Sequence, residues 1–284
     1  MLLRRLTVTL LPALLLSALP VSAHAAVDVA GPATPASLVR EWKASQVEMA
    51  QALADQAQLT AAPAPAAGDL LATARRDLAL ENATYRYRAA ARKQQVVVYA
   101  MAVDPAMQSA VQRFMSSSDV APVLATIAAL RSLWRLAEID DLSQIRIRYN
   151  RRLEDAAPVD ALMGYYRTSG GRWSIEWTFL ASINFVESDF GRVNGPSSAG
   201  ALGPMQFMPS TWAQYGTGDV MNPKDAIEAA ARYLRAMGGP GNMDRAIYRY
   251  NNDTDYVAAI DGFAAAYRSD PSWAARMYYW STSG

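Results

Sequence analysis

From Asp69 to Val103 the chain reads DLLATARRDLALENATYRYRAAARKQQVVVYAMAV, a run of strong helix formers with neither glycine nor proline. Such a run folds as one long helix, and the segments around it carry the same period. SLVREWKASQVEMAQALADQAQL places Leu38, Trp42, Val47, Met49 and Leu53 near helical spacing, with Ser37 as the expected N-cap, and stops at AAPAPAAG. Further helical patterns follow Asp104-Pro105, cross Val120 to Ala137 with Leu124, Ile127, Leu130, Leu133 and Trp134 on one face, and span Ser143 to Glu154. Strand-like alternation is missing throughout, and so is any internal repeat. The expectation is an all-α chain whose residues 37–163 form an antiparallel helical hairpin or bundle. This arm holds no chemical constellation: its aromatic and Met residues read as core, and Arg75, Arg76, Arg86, Arg88, Arg92 and Lys93 as a solvated face.

The N-terminus has a different purpose. Arg4 and Arg5 precede an apolar run from Leu6 to Leu19 and the small-residue site Ala23-His24-Ala25, the pattern of a cleavable export signal over residues 1–25. A retained membrane anchor is the weaker reading, since crossing a bilayer takes roughly 20 apolar residues. Residues 26–36 (AVDVAGPATPA) offer nothing to pack and read as a flexible tail. The expected destination is outside the cell or in its envelope, without stable membrane insertion.

Two missing residue types narrow the chemistry. The chain has no cysteine, and its one histidine, His24, belongs to the leader. Disulfides, thiolate metal sites, Ser-His-Asp triads and HExxH zinc sites are therefore excluded from the exported chain, which must work with carboxylates, hydroxyls, amides, Lys or Arg. The 27 basic residues, two of them in the leader, nearly balance 26 acidic ones without any basic block, so nucleic acid is not an expected partner.

GYYRTSGGRW, from Gly164 to Trp173, interrupts the helical pattern with paired glycines and reads as a boundary, giving a second unit over residues 164–284. From Trp173 to Phe190 one amphipathic helix is expected, with Ile175, Phe179, Ile183 and Val186 inward. Glu187 falls on that same side, four residues after Ile183 and seven after Leu180. Apolar neighbours disfavour the charged carboxylate and raise its pKa towards the range useful for donating a proton. The plainer alternative is a glutamate that reaches from the helix end into water. The residues after Glu187 favour the acid: Gly195, Gly200 and Gly203 permit tight bends, Ser197, Ser198 and Gln206 supply neutral hydrogen-bonding groups, and Met205, Phe207, Met208 and Trp212 give apolar surface. Those are the parts of a sugar-binding wall.

Glu187-Ser188, Ser197 with Gly200-Ala201, and Gly203-Pro204-Met205-Gln206 resemble the E-S, S-x-x-G-A and G-L-M-Q signatures of the soluble lytic transglycosylases. Ala230-Ala231-Arg232-Tyr233-Leu234 is similar to that family's A-A-x-Y-L helix, and Tyr250-Asn251 to its Y-N motif. The likeness spans about Trp173 to Arg268 and is strongest to secreted, actinobacterial-type members with an N-terminal helical arm. It implies a goose-lysozyme-like helical catalytic domain and peptidoglycan glycan strands as substrate. It implies neither metal nor organic cofactor, and leaves cell-wall proteins as candidate partners of the arm. Two departures stand out. The loop after Glu187 is about one residue longer than usual, so the matching serine is Ser197 by one count and Ser198 by another. Pro204 replaces the usual leucine and removes one N–H, which matters only where that amide meets substrate.

By the same resemblance Glu187 is the catalytic acid, with Ser197, Gln206, Tyr250 and Asn251, beside Met205 and Phe207, holding sugar or acid. The Tyr250 hydroxyl is expected next to the carboxyl. Most glycoside hydrolases pair two carboxylates, about 5–5.5 Å apart when retaining and roughly 6.5–9.5 Å when inverting. Asp189 should point away from Glu187 if the helix persists, while Asp219, Asp253 and Asp255 lie in expected loops from which they could approach. A lone acid suits a transglycosylase that leaves 1,6-anhydromuramoyl ends. The alternatives are a lysozyme-like muramidase that activates water and a wall-binding protein without catalysis.

Overall fold

The computed structural model describes residues 33–139, 156–193 and 195–280. Residues 1–32, and with them the expected export signal, and the helical pattern of Ser143 to Glu154 lie outside that set. Helices are the regular elements of the described residues, joined by turns and loops, with one isolated antiparallel bridge, Leu202 to Phe207. None of their helices is long and apolar enough to cross a membrane. They fall into two compact units, one made of the described residues between 121 and 271, the other of residues 33–120 together with 272–280.

In the second of these units α1 (Pro35–Ala61) and α2 (Leu70–Val103) pack as an antiparallel hairpin. The first helix starts earlier than its sequence indicates. Thr34, not Ser37, is the N-cap: its side chain accepts from the Ser37 N–H, the Ser37 hydroxyl accepts from the Thr34 N–H, and Pro35 occupies the first turn. Polar pairs join the helices, among them Arg86 with Asp55 and Glu48, and Gln56 with Thr84. Leu38, Trp42 and Met49 are buried as expected, whereas Val47 and Leu53 face outward. Two helices alone cannot enclose both sides of either, so the buried positions of α1 end at Ala52 and those of α2 begin at Ala83. The short α3 (Pro105–Gln112) follows with Asp104 as its N-cap. At the far end of the chain α11 (Trp273–Tyr278) packs against α2; Trp273 meets Trp42 of α1, and Tyr279 and Trp280, just after α11, meet Tyr87 and Tyr99 of α2.

Helix α4 (Ser117–Leu136) enters the first unit, where Ile127, Leu130, Leu133 and Trp134 are buried and Leu124 is half-buried. Six described helices follow: α5 (Val159–Trp173), α6 (Trp177–Ser188), the two-turn α7 (Pro209–Tyr215), α8 (Pro223–Met237), α9 (Met243–Tyr250) and α10 (Thr254–Ser269). Gly170 and Gly171 do not break the chain; α5 runs through both. A Cβ at Gly170 would stand 2.5 Å from the Ile175 carbonyl oxygen, so this glycine is needed because the next segment folds back against the helix. The expected helix from Trp173 likewise divides, as left-handed Ser174 ends α5 and α6 begins at Trp177. α6 lies at the centre, nearly all of its residues buried, against α10 on one side and α5 on another. α8 has the boundaries its sequence announces, with Asn222 as N-cap, Pro223 at the first position and Gly238 as the stop.

Candidate active site

Glu187 sits in the last turn of α6, which ends abruptly. Asp189 and Phe190 both adopt positive φ, 53° and 61°, and Gly191 follows at 94°. Left-handed backbone at a non-glycine residue costs about 1 kcal/mol or more, and packing offsets it here. The Phe190 ring lies against Phe185, while the buried Asp189 carboxylate faces Arg192 at 3.6 Å. The reversal leaves Glu187 half-buried at the lip of the apolar helix.

One neutral group holds its carboxyl. The hydroxyl of Tyr256, a fully buried residue of α10, donates to Glu187 Oε1 at 2.6 Å. Burial raises the Glu187 pKa to about 7, and the Tyr256 hydrogen bond pulls the other way by favouring the carboxylate. Tyr256 and Tyr250 are both pushed well above the ordinary phenol range, by burial first and then by the Glu187 charge, so both remain donors. An acid half-ionised near neutrality and held by an un-ionisable phenol can give up a proton and take one back.

The loop after α6 is tied to the helix through the two residues that flank the acid on its inner side. Asn184 Nδ2 and Ser188 Oγ both donate to the Pro204 carbonyl, at 2.8 and 2.5 Å, and the Tyr166 hydroxyl donates to Asn184 Oδ1 at 2.5 Å. The substituted proline thus serves through its carbonyl, which any residue has, and its missing N–H leaves this link intact. Leu202 and Phe207 exchange both backbone hydrogen bonds to close a tight turn over Gly203. Gly203 has φ +72°, and a Cβ there would fall 2.0 Å from the Val220 carbonyl oxygen. No other residue fits that position.

The residues singled out from the sequence divide by what they touch. The Tyr250 hydroxyl does not reach the carboxyl; it donates to the Met205 carbonyl at 2.6 Å, and Tyr256 holds the acid instead. Met205 and Phe207 are buried, so they support the turn from beneath and Met208 is the exposed member of the run. Ser197 is buried, its oxygen accepting from the Ala199 and Ala201 N–H groups, while Ser198 is exposed. Gln206, at φ 50°, donates its amide to the Gly203 carbonyl, and its Oε1 is a buried acceptor without a partner among the described residues. Asn251 Nδ2 is a buried donor in the same condition. Behind them the rings of Tyr215, Tyr233, Tyr250, Phe207 and Trp212 meet in succession, with centroids 5.1 to 5.9 Å apart.

Residues 164–259 match the transglycosylase SLT domain family. The chain carries a transglycosylase SLT domain. The match takes in Glu187, the whole loop, Tyr250, Asn251 and Tyr256, and brings with it a lysozyme-like all-α fold and peptidoglycan cleavage of the transglycosylase or lysozyme kind. No solved structure matches the chain.

Within the SLT domain the aspartates that could have assisted Glu187 have other partners. Asp189 is turned to Arg192, Asp219 accepts from the Met221 N–H, Asp253 caps α10 through the Asp255 and Tyr256 N–H groups, and Asp255 pairs with Arg135 at 2.7 Å. None of them perturbs the Glu187 carboxyl. Two contributors to the SLT site are not recognisable from the sequence. Tyr256, Ile260 and Phe263 share the buried face of α10, so Tyr256 is legible as core but its hydroxyl partner is not. Asn184 reads as an ordinary polar residue in an apolar helix, and only the bend of the loop brings Pro204 to it.

Proposed function

We propose that the protein is a peptidoglycan lytic transglycosylase that cleaves the bond from N-acetylmuramic acid to N-acetylglucosamine and leaves 1,6-anhydromuramoyl ends. The observation that carries this reading is a single desolvated carboxyl with a pKa of about 7, free of any neighbouring carboxylate among the described residues. A hydrolase of the two-carboxylate kind needs a second acid to activate water or attack the sugar. One acid suffices when the substrate supplies its own nucleophile.

In the proposed cycle Glu187 gives its proton to the glycosidic oxygen as the C1–O bond breaks, with the muramoyl 2-acetamido group assisting departure. The Glu187 carboxylate, stabilised by the Tyr256 hydroxyl, then takes the proton of the muramoyl C6 hydroxyl as that oxygen closes on C1. The acid is restored and water is not consumed. Gln206 Oε1 and Asn251 Nδ2, two of the buried polar atoms without a partner among the described residues, are assigned to sugar hydroxyl and amide groups. Ser197, Met205, Phe207 and Tyr250 shape the loop that carries them. Residues 1–25 would export the enzyme to its polymer, and the arm, residues 37–163, would be the part that meets other wall proteins.

Digestion of purified peptidoglycan followed by mass spectrometry of the released glycans tests the reaction. Anhydro ends lighter by one water than reducing ends are expected; reducing ends alone would make the enzyme a muramidase.

A further inference from the structure

A concave site away from Glu187 lies between α5 and α8. It is a cavity of about 530 Å³, within the range of small-molecule pockets, lined by the face of α5 that carries Ala161, Gly164, Tyr165 and Thr168 and by the Lys224 to Arg232 face of α8. Tyr233, whose ring leans on Tyr250, is roughly 100° further round α8, so the cavity and the Glu187 site use different faces of one helix.

The charges around this cavity are unevenly satisfied. Its two acids are occupied: Glu228 accepts from Trp173 Nε1 at 2.8 Å and from Arg172 at 3.0 Å, and Asp225 accepts from the Asp219 N–H at 3.0 Å. Two of its cations are not neutralised. Among the described residues Arg232 meets only neutral groups: the Tyr215 carbonyl at 3.0 Å and the Thr217 hydroxyl at 3.2 Å, both on Nη1, and the Trp173 ring 5.3 Å from its guanidinium carbon. Lys224 makes no ion pair with the described residues and stands exposed at the rim. Ammonium and guanidinium donors without a carboxylate, beside the small residues Ala161, Gly164 and Ala229, suit an anion with a compact neutral body.

We propose that the α5–α8 cavity binds a small carboxylate-bearing ligand, its anion held by Lys224 and Arg232 and its body seated against Ala161, Gly164 and Ala229. Carboxylates of this size come from sugar acids and from the free ends of short peptides, and the cavity chemistry is common to both. The assignment involves no cleavage step, so it stands or falls separately from the reaction at Glu187.

The test is a titration of the full exported chain carrying Glu187→Gln, followed by amide chemical shifts. The probes are N-acetylmuramic acid, the dipeptide D-alanyl-D-alanine, and N-acetylglucosamine as the neutral control. Saturable shifts are expected on α5 and α8 with at least one of the two acids, and which acid binds identifies the source. Lys224→Gln should weaken that binding about tenfold by removing the free cation. Gly164→Leu should block it sterically, since nothing lies within 4 Å of a Cβ at Gly164 and a leucine there occupies cavity space within a helix that tolerates it. Absence of binding by both acids up to about 10 mM, equal binding of N-acetylglucosamine, shifts confined to the Tyr250 and Tyr256 region, or unaltered affinity in both variants would each overturn the proposal.

Discussion

Two glutamates of the same unit, each half-buried on a helix, end up with opposite acidities. Glu187 on α6 and Glu228 on α8 are both pushed upward by burial, which is the largest influence on each. Glu228 is nevertheless brought below its ordinary value, because the Trp173 N–H, the Ser169 hydroxyl and the Arg172 guanidinium together outweigh that burial. Glu187 has the Tyr256 hydroxyl alone and stays at about 7. Burial sets the tendency, and the number and charge of the donors decide the outcome. A cation beside Glu187 would have held it ionised and removed the acid.

Replacing Glu187 by Gln is the most severe way to probe the contrast. Cleavage of a peptidoglycan suspension should fall by about 10²–10⁴-fold, the span associated with a positioned general acid, while circular dichroism stays unchanged. Undiminished turnover would remove Glu187 from the chemistry. The same substitution should raise stability at alkaline pH. The folded pKa of about 7 lies above the value of an unfolded glutamate, so the wild type loses stability as pH rises from about 4.5 to 7, on the order of 3 kcal/mol if the shift is fully expressed. Denaturant midpoints of Glu187→Gln and wild type should therefore diverge at pH 8, in favour of the variant, and converge near pH 4; parallel profiles would contradict the raised pKa.

Tyr256→Phe should act more mildly and in a direction burial alone does not give. The lost hydrogen bond favoured the carboxylate, so the Glu187 pKa must rise, moving the alkaline limb of kcat/KM to higher pH while the maximal rate drops about tenfold. An alkaline limb that stays in place would mean that this hydroxyl does not control the acid. Glu228→Gln should have the smallest effect, about 1 kcal/mol of stability at pH 7, since its Arg172 partner is largely exposed and screened. The sign is opposite to that at Glu187. A depressed pKa contributes stability above the unfolded value and loses it as pH falls, so this difference should vanish towards pH 3 in thermal melts.

Much of the catalytic end was legible in the residues because its signals are local. Asn222, Pro223 and Gly238 bound α8 through capping geometry that operates within four residues, and the period of Leu180, Ile183 and Glu187 places the acid on the buried side of α6. Where local signals misled, a distant backbone had intervened. Gly170 looks like a helix breaker and is instead a point of close approach, required by a carbonyl five residues on. Tyr250 and Tyr256 stand six residues apart, each able to reach an oxygen, and the sequence offers no means of telling which oxygen each receives.

By itself the sequence determined the helical class, the lack of thiol chemistry, and the placing of Glu187 on the buried side of its helix, because composition and periodicity act without knowledge of what lies across the fold. Only the tertiary structure decided how strong that acid is. A pKa depends on which groups come within a few ångströms, and these come from α10 for Glu187 and from the end of α5 for Glu228, far away in the chain.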